Sequence, residues 1–178
     1  KIDQYKQQMV LKFLKKNGSF YLRQSKNENC ENYDSLQFIE NTFIVSLNSW
    51  QENNKNYSQS IYENITKATE KGIVVRESNN ANDWLRYVDL YKESAIRWNK
   101  SSQSLYPDLL FEKIRQENLN TRKLWLAYYN DEAVYGCLVF YHKQTAYYWH
   151  GAGNEFALNH GVPSLLHDNI IRNLKTTG

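Results

Sequence analysis

The sequence lacks the residues and runs that mark several protein classes. Its 178 residues include only two Pro, one Met and two Cys. Cys30 and Cys137 are too few for a disulfide framework, and no Cys/His cluster has metal-ligand spacing, so we expect no metal site. No run of about 18 apolar residues occurs, which predicts that no segment spans a membrane. No signal-peptide pattern is present either, and we therefore expect a cytoplasmic protein.

A large charge of one sign is also missing. The 22 Lys and Arg residues against 19 Asp and Glu give a net charge of +3. This charge is too small, and too evenly spread, to indicate a nucleic-acid-binding protein by itself. Aromatic residues are abundant instead: 14 Tyr, 7 Phe and 5 Trp make up 15% of the chain. Disordered segments are poor in such side chains, so the composition predicts a folded core.

Hydrophobic spacing predicts the elements of the first half. Residues 3–16 have helical spacing that ends at Asn17-Gly18, and strands are predicted at 19–24 and 42–47, with a loop at 25–41 between them. A helix over 58–71 ends at Gly72 and is followed by a short strand at 73–76. Asn82 or Asp83 is expected to cap the next helix, which runs to about Asn99, and Pro107 opens another.

The second half predicts three strands joined by short turns. They cover 123–129, 133–141 and 145–151, and form an antiparallel meander. Three glycines after the meander indicate a loop, and Pro163 opens a final helix through Lys175. A meander combined with flanking helices predicts an α/β (α+β) domain on one central sheet.

Few residues form a pattern with chemical meaning. The chain has no nucleophile elbow, P-loop or dinucleotide-binding glycine motif, and Cys137 lies within a buried strand. His150, at the end of the third meander strand, could accept a proton from an attacking amine or be a structural histidine. The helix start at Gly161, Pro163 and Ser164 could hold a phosphate or carboxylate, or be only a tight connection.

Four segments together resemble a known family. Residues 42–47 are followed by a helix and strand carrying Ser58, Ile65, Lys67, Ala68 and Gly72. An acidic turn at 130–132 joins two strands, and the strand YYWHGA at 147–152 precedes a helix with Pro163, Leu165, Leu166 and Ile170. Together these segments resemble the FemAB-like acyltransferases of the GNAT superfamily.

This resemblance implies a GNAT-like mixed, mostly antiparallel central sheet flanked by helices. Residues 1–24 would be the closing helix and strand of a preceding GNAT-like half, or an N-terminal extension, and 25–41 a loop. Residues 42–178 would form the acyltransferase domain without its last strand. A first residue, Lys1, other than Met is what we expect of a processed or excised piece.

The resemblance also implies an activity. A bacterial-type N-acyltransferase of this kind moves an acyl or aminoacyl group from acyl-CoA or aminoacyl-tRNA, as co-substrate, to the amine of a small molecule or peptidoglycan precursor. No tightly bound cofactor is expected, and tRNA is a candidate partner. The implied catalytic residues are His150, as proton acceptor, and Tyr148. Substrate and donor would be bound by Trp149, Gly151, Ala152, Gly153, Gly161, Pro163 and Ser164.

Two departures from the family pattern support an alternative. Tyr62 replaces a basic residue of the family's helix. The usual acyl-CoA phosphate loop, R/Q-x-x-G-x-G/A, would place its first position on Leu158 and its last on Pro163. These departures favour a second hypothesis, a non-catalytic, degenerate GNAT-fold module that binds tRNA or a protein partner.

Overall fold

The computed structural model describes residues 45–47, 57–98, 106–116, 120–142 and 144–177. In chain order its elements are α1 (Gln59–Glu70), β1 (Val74–Ser78), α2 (Ala81–Arg97), α3 (Asp108–Gln116), β2 (Arg122–Tyr129), β3 (Glu132–His142), β4 (Thr145–Gly153), α4 (Glu155–Asn159) and α5 (Val162–Thr177). The elements predicted for 1–41 lie outside the described residues. Of the strand predicted at 42–47 only 45–47 is described, and these residues form no strand. No described helix is long and apolar enough to cross a membrane.

The four described strands form one antiparallel sheet in the order β1-β2-β3-β4. Helices flank it, which confirms the predicted α/β (α+β) class. The turn between β2 and β3 is one residue shorter than the predicted three, because Tyr129 already pairs with Glu132. Asn130 and Asp131 have φ values of 49° and 63°. Two consecutive residues of this kind form the type I′ turn, whose twist matches that of the two strands.

Helices cover both faces of the sheet. On the α5 face, α1 and α5 pack against a buried cluster that includes Ala68, Trp125, Val139, Val162 and Leu166. On the α2 face, α2 and α3 pack against a second cluster that includes Tyr87, Tyr91, Phe111, Leu126 and Leu138. Along β2, the side chains from Leu124 to Tyr128 enter the two clusters in turn, as the strand period requires. β4 is the edge strand of the described sheet on one side.

Two helix starts differ from the prediction. The residue that caps α2 is Asn80, not Asn82 or Asp83, and its side-chain oxygen accepts the Asp83 N–H at 2.8 Å. The short helix α4 occupies part of the predicted loop. It forms because the Asn154 side chain accepts the Ala157 N–H at 2.9 Å and so caps the first turn.

Gly161 turns the chain from α4 into α5. Its φ is +71°, and a Cβ atom there would lie 2.5 Å from the backbone oxygen of Asn64 in α1. Any larger residue would therefore be strained and would also push α1 away from α5. The glycine that appeared in the sequence as a loop marker is required by the packing of two helices.

Candidate functional site

A β-bulge lies in the middle of β4. Leu138 of β3 pairs with His150, and the next residue of β3, Val139, pairs with Tyr148. Trp149 is therefore an extra residue without an opposite partner in β3. Because side chains alternate along a regular strand, an inserted residue places two consecutive side chains on the same face.

Ring contacts confirm this arrangement. The Trp149 ring lies 5.1 Å from that of Tyr106, and the His150 ring lies 4.9 Å from that of Tyr91, so both side chains occupy the α2 face. The Tyr148 ring lies 4.7 Å from that of His167 in α5. The two residues predicted to be catalytic, Tyr148 and His150, thus lie on opposite faces of the sheet, and the structure does not bring their side chains together.

His150 has a defined hydrogen-bond partner. The hydroxyl of Tyr87 lies 3.1 Å from His150 Nδ1 and also 3.1 Å from the His150 carbonyl oxygen. The imidazole is half-buried among the rings of Tyr91, Trp98, Tyr106 and Trp149. Burial lowers its pKa to about 4. The imidazole is therefore neutral at pH 7 and carries a lone pair on one ring nitrogen.

Gly151 directs its backbone out of the sheet edge. Gly153 donates its N–H to Ser94 Oγ at 3.2 Å and accepts from the same hydroxyl at 3.1 Å, so its backbone groups point away from β3 towards α2. In an antiparallel strand both groups of a residue point to one side, and that side alternates along the strand. The N–H and C=O of Gly151 therefore also point away from β3, where no described strand pairs with β4.

Two phenols occupy the α5 side of Gly151. A Cβ atom on this residue would overlap the Tyr148 hydroxyl and lie 2.5 Å from the Tyr135 hydroxyl. Burial raises the pKa of both tyrosines, so both hydroxyls keep their protons at neutral pH. Tyr148 is also half-exposed, and it can donate a hydrogen bond to a group at the edge of β4.

Ala152 and Gly153 lie behind this edge. Ala152 is buried in the α2-face cluster. Gly153 is buried as well, and its carbonyl accepts from the Arg97 guanidinium in addition to Ser94. These two residues attach the end of β4 to α2, and their role in substrate binding stays a prediction.

The start of α5 offers fewer donors than an open helix end. The N–H groups of Ser164 and Leu165 both donate to the Gly161 carbonyl, at 3.1 and 3.4 Å, and Pro163 has no N–H. Gly161 is buried, whereas Pro163 and Ser164 are half-buried. Lys67 brings a positive charge nearby, since its Nζ donates to the Asn159 carbonyl at 2.7 Å. A phosphate site here remains a prediction from the sequence.

A thiol and the possible metal ligands are further reactive groups among the described residues. Cys137 is fully buried, and burial raises the pKa of its thiol, so it stays protonated and unreactive. Within the described part of the chain, no group of three His, Cys, Asp or Glu side chains could hold a metal ion.

The residues of α2 that contact β4 are not among the site residues predicted from the sequence. Tyr87, Tyr91 and Ser94 are spaced by four and three, which places them on one helix face with the buried residues. A hydroxyl on an otherwise apolar helix face needs a hydrogen-bond partner. This signal could have indicated polar contacts with the sheet, although it could not have named His150 or Gly153 as the partners.

Comparisons with known proteins agree with this architecture. The profile of the acetyltransferase (GNAT) domain family matches residues 55–178. An aminoglycoside acetyltransferase from an uncultured soil metagenomic sample, in complex with sisomicin, aligns with a TM-score of 0.47 and 14% identity over 61% of this chain and 74% of its own. No curated protein matches the sequence.

A second solved structure is the C-terminal domain of an Agrobacterium fabrum protein assigned as a lysylphosphatidylglycerol synthetase. It aligns with a TM-score of 0.58 and 9% identity over 75% of this chain and 42% of that one. At this identity the similarity shows a shared fold alone. The family profile, in contrast, covers most of the chain, including all four strands and the bulge. On that basis the chain belongs to the GNAT acetyltransferase domain family.

Proposed function

We propose that this protein is an N-acyltransferase that joins an acyl or aminoacyl group to a substrate amine at the outer edge of β4. The observation that carries the proposal is the bulge at Trp149. Because of this extra residue, the side chains of Trp149 and His150 both lie on the α2 face, next to a glycine whose N–H points out of the sheet. A proton acceptor and a carbonyl-binding N–H are thereby positioned along one edge.

The chemistry needs no covalent intermediate on the protein. The amine nitrogen attacks the acyl carbon, and the carbonyl oxygen becomes an oxyanion that the Gly151 N–H can bind. The bond from the acyl carbon to the donor sulfur or oxygen then breaks. The nitrogen loses one proton and the departing sulfur or oxygen gains one, so the products are an amide and a free thiol or hydroxyl.

The two faces of β4 divide these proton transfers. His150, on the α2 face, accepts the proton of the attacking nitrogen. Its pKa of about 4 suits a nitrogen that has already attacked, because that N–H is far more acidic than the N–H of an ordinary ammonium ion. Tyr148, on the α5 face, keeps its proton at neutral pH and donates it towards the departing group.

The donor is acyl-CoA or aminoacyl-tRNA, in the manner of FemAB-like enzymes. Its phosphates would lie at the start of α5 near Pro163, Ser164 and Lys67, and its acyl group beside Gly151. The acceptor is a small-molecule amine or the amine of a peptidoglycan precursor, entering on the α2 face against Trp149.

The experiment is an acyl-transfer assay with the full chain. Acetyl-CoA and an aminoacyl-tRNA serve in turn as donors, a panel of primary amines serves as acceptors, and amide formation is measured by mass spectrometry. Replacing His150 by Gln should lower kcat by about 10²- to 10⁴-fold, the usual contribution of a positioned base. His142→Gln, at an exposed histidine on β3, is the matched control. An unchanged kcat in His150→Gln would contradict the role of the imidazole.

A second candidate function is a non-catalytic module that binds tRNA or a protein partner. The first turn of α5 favours it over tight binding of a donor phosphate, because the Ser164 N–H already donates to Gly161 and Pro163 has no N–H. Thermal unfolding with CoA or with tRNA separates the two functions, because a ligand that binds only the folded state raises the Tm. Stabilisation by tRNA with no amide formed from any donor would support the binding module.

A further inference from the structure

Tyr87 is a buried phenol that contacts the central residue of the candidate site. Its side chain is fully buried between α2 and the sheet, in edge contact with the Phe111 ring at 5.9 Å. A Cβ atom on Gly136 of β3 would lie 2.9 Å from its ring, so that glycine leaves the space the ring occupies. Burial raises the pKa of Tyr87 well above its usual value, and the hydroxyl therefore keeps its proton.

The two contacts of this hydroxyl bear on which nitrogen of His150 carries hydrogen. The hydroxyl lies 3.1 Å from the His150 carbonyl oxygen and 3.1 Å from Nδ1. A carbonyl oxygen can only accept, so the single hydroxyl hydrogen points to it. The contact with Nδ1 is then a hydrogen bond only if Nδ1–H donates to the phenol oxygen. Only the Nδ1–H form, with its lone pair on Nε2, makes both contacts hydrogen bonds at once, and the geometry therefore favours this tautomer.

The environment of the imidazole favours a particular ligand. Nδ1 faces a buried hydroxyl, so the half-exposed imidazole has Nε2 on the side away from Tyr87. The rings of Trp98, Tyr106 and Trp149 lie within 6.3 Å of its centroid and are half-buried as well. Aromatic faces attract organic cations, and a lone pair accepts an N–H. A protonated primary amine attached to a planar or apolar group meets both requirements, because it is an organic cation and carries an N–H donor.

We propose that Tyr87 is a positioning residue, which fixes His150 as the Nδ1–H tautomer and thereby makes Nε2 the acceptor for the N–H of an aryl- or alkylammonium ligand. The identification of this ligand with the acceptor of acyl transfer rests on the proposed function. The tautomer and the binding of the amine do not, because both can be measured without an acyl donor.

The first test is ¹⁵N NMR of the full chain labelled at histidine, with the His150 signals identified by their loss in His150→Gln. We expect Nδ1 to show the shift of a protonated ring nitrogen and Nε2 that of an unprotonated one. In Tyr87→Phe, which keeps the ring, the preference should be lost and both tautomers should appear. The matched control is Tyr91→Phe, whose hydroxyl accepts the Tyr106 N–H at 2.6 Å, and it should leave the tautomer unchanged.

The second test measures binding of two aromatic cations through the His150 Nε2 signal. Phenethylamine at neutral pH carries N–H donors, whereas its N,N,N-trimethyl derivative has the same charge and none. We expect phenethylamine to bind at least about tenfold more tightly, the effect of one hydrogen bond, and this ratio to shrink in Tyr87→Phe.

Several outcomes would overturn the proposal. An Nε2–H tautomer of His150 in the unmodified protein would overturn it. This result needs no variant, so it can be obtained even if Tyr87→Phe fails to fold. Equal binding of the two cations, or binding of neither, removes the ligand assignment. Amine binding with the expected tautomer but no amide formation would sink the proposed function and leave this inference standing.

Discussion

The two faces of the sheet are built from different kinds of side chain. Among the described residues, two of the thirteen clustered core residues on the α5 face are aromatic, whereas five of the thirteen on the α2 face are. The hydroxyls of Tyr87, Tyr91 and Tyr128 on the α2 face also make hydrogen bonds, to His150, Tyr106 and Asp83. Aliphatic side chains stabilise the fold through packing contacts that have no preferred direction. Phenols also make hydrogen bonds, which have a defined direction. Damage to the α5 face should therefore reduce stability, and damage to the α2 face should also change the state of His150.

The largest expected effect is on the α5 face. Leu166 is fully buried in that cluster, and Leu166→Ala should lower the free energy of unfolding by about 3 kcal/mol through lost burial and a residual cavity. Urea denaturation measures this change. Leu158→Ala, at a half-exposed leucine of α4, should change it by less than about 0.5 kcal/mol. The His150 tautomer should be unaffected in both variants, and a change of tautomer in Leu166→Ala would contradict the division between the faces.

A smaller effect is expected where α1 meets α5. Gly161 and Gly72 both have positive φ, but only at Gly161 does added bulk meet a neighbour, the backbone of Asn64. Gly72→Ala should cost about 1 kcal/mol, the strain of a left-handed residue. Gly161→Ala should cost at least about 2 kcal/mol, because α1 must also move. Urea denaturation measures the free energy of unfolding of both variants. Equal losses would show that α1 and α5 do not approach each other as closely as described.

The last comparison concerns the pH dependence of one histidine on each face. Burial lowers the pKa of His150 to about 4 and also lowers that of His167, where a hydrogen bond from Nδ1 to the Pro163 carbonyl offsets part of the change. An unfolded histidine takes up its proton near pH 6.5. Both residues therefore contribute stability above about pH 6.5 that is lost as the pH falls, and for His150 the loss continues down to about pH 4.

Urea denaturation at pH 7 and pH 4.5 tests this expectation. His150→Gln should remove more of the acid-induced loss of stability than His167→Gln. This result would mean that the imidazole on the α2 face has the more strongly lowered pKa. A larger effect of His167→Gln would reverse this comparison.

The fold could be predicted largely from local patterns. The meander, the helix after Pro107 and the helix at Pro163 follow from alternation, turn residues and helical spacing, which depend only on neighbours in the chain. Asn80 and Asn154 were missed as caps, although both residue types favour that position, because several polar residues compete at each helix start.

The candidate site was predicted only in part. Residue type and family resemblance indicate His150 and Gly151 as site residues. The bulge at Trp149 depends on the register between β3 and β4, and no local pattern encodes this register. The separation of Tyr148 from His150, and the contacts of Tyr87 and Ser94 with β4, follow from that register and from tertiary packing.

The bulge also makes β4 tolerant to a change of length. Tyr148 and His150 pair with adjacent residues of β3 and lie on opposite faces, as neighbours in a regular strand do. Excision of Trp149 would therefore join Thr145–Tyr148 to His150–Gly153 with every remaining side chain on its present face. Loss of this one residue would remove the indole ring that packs against Tyr106 on the α2 face, while the His150 imidazole and the Gly151 backbone keep their orientations, so the length of β4 sets the aromatic surroundings of the imidazole.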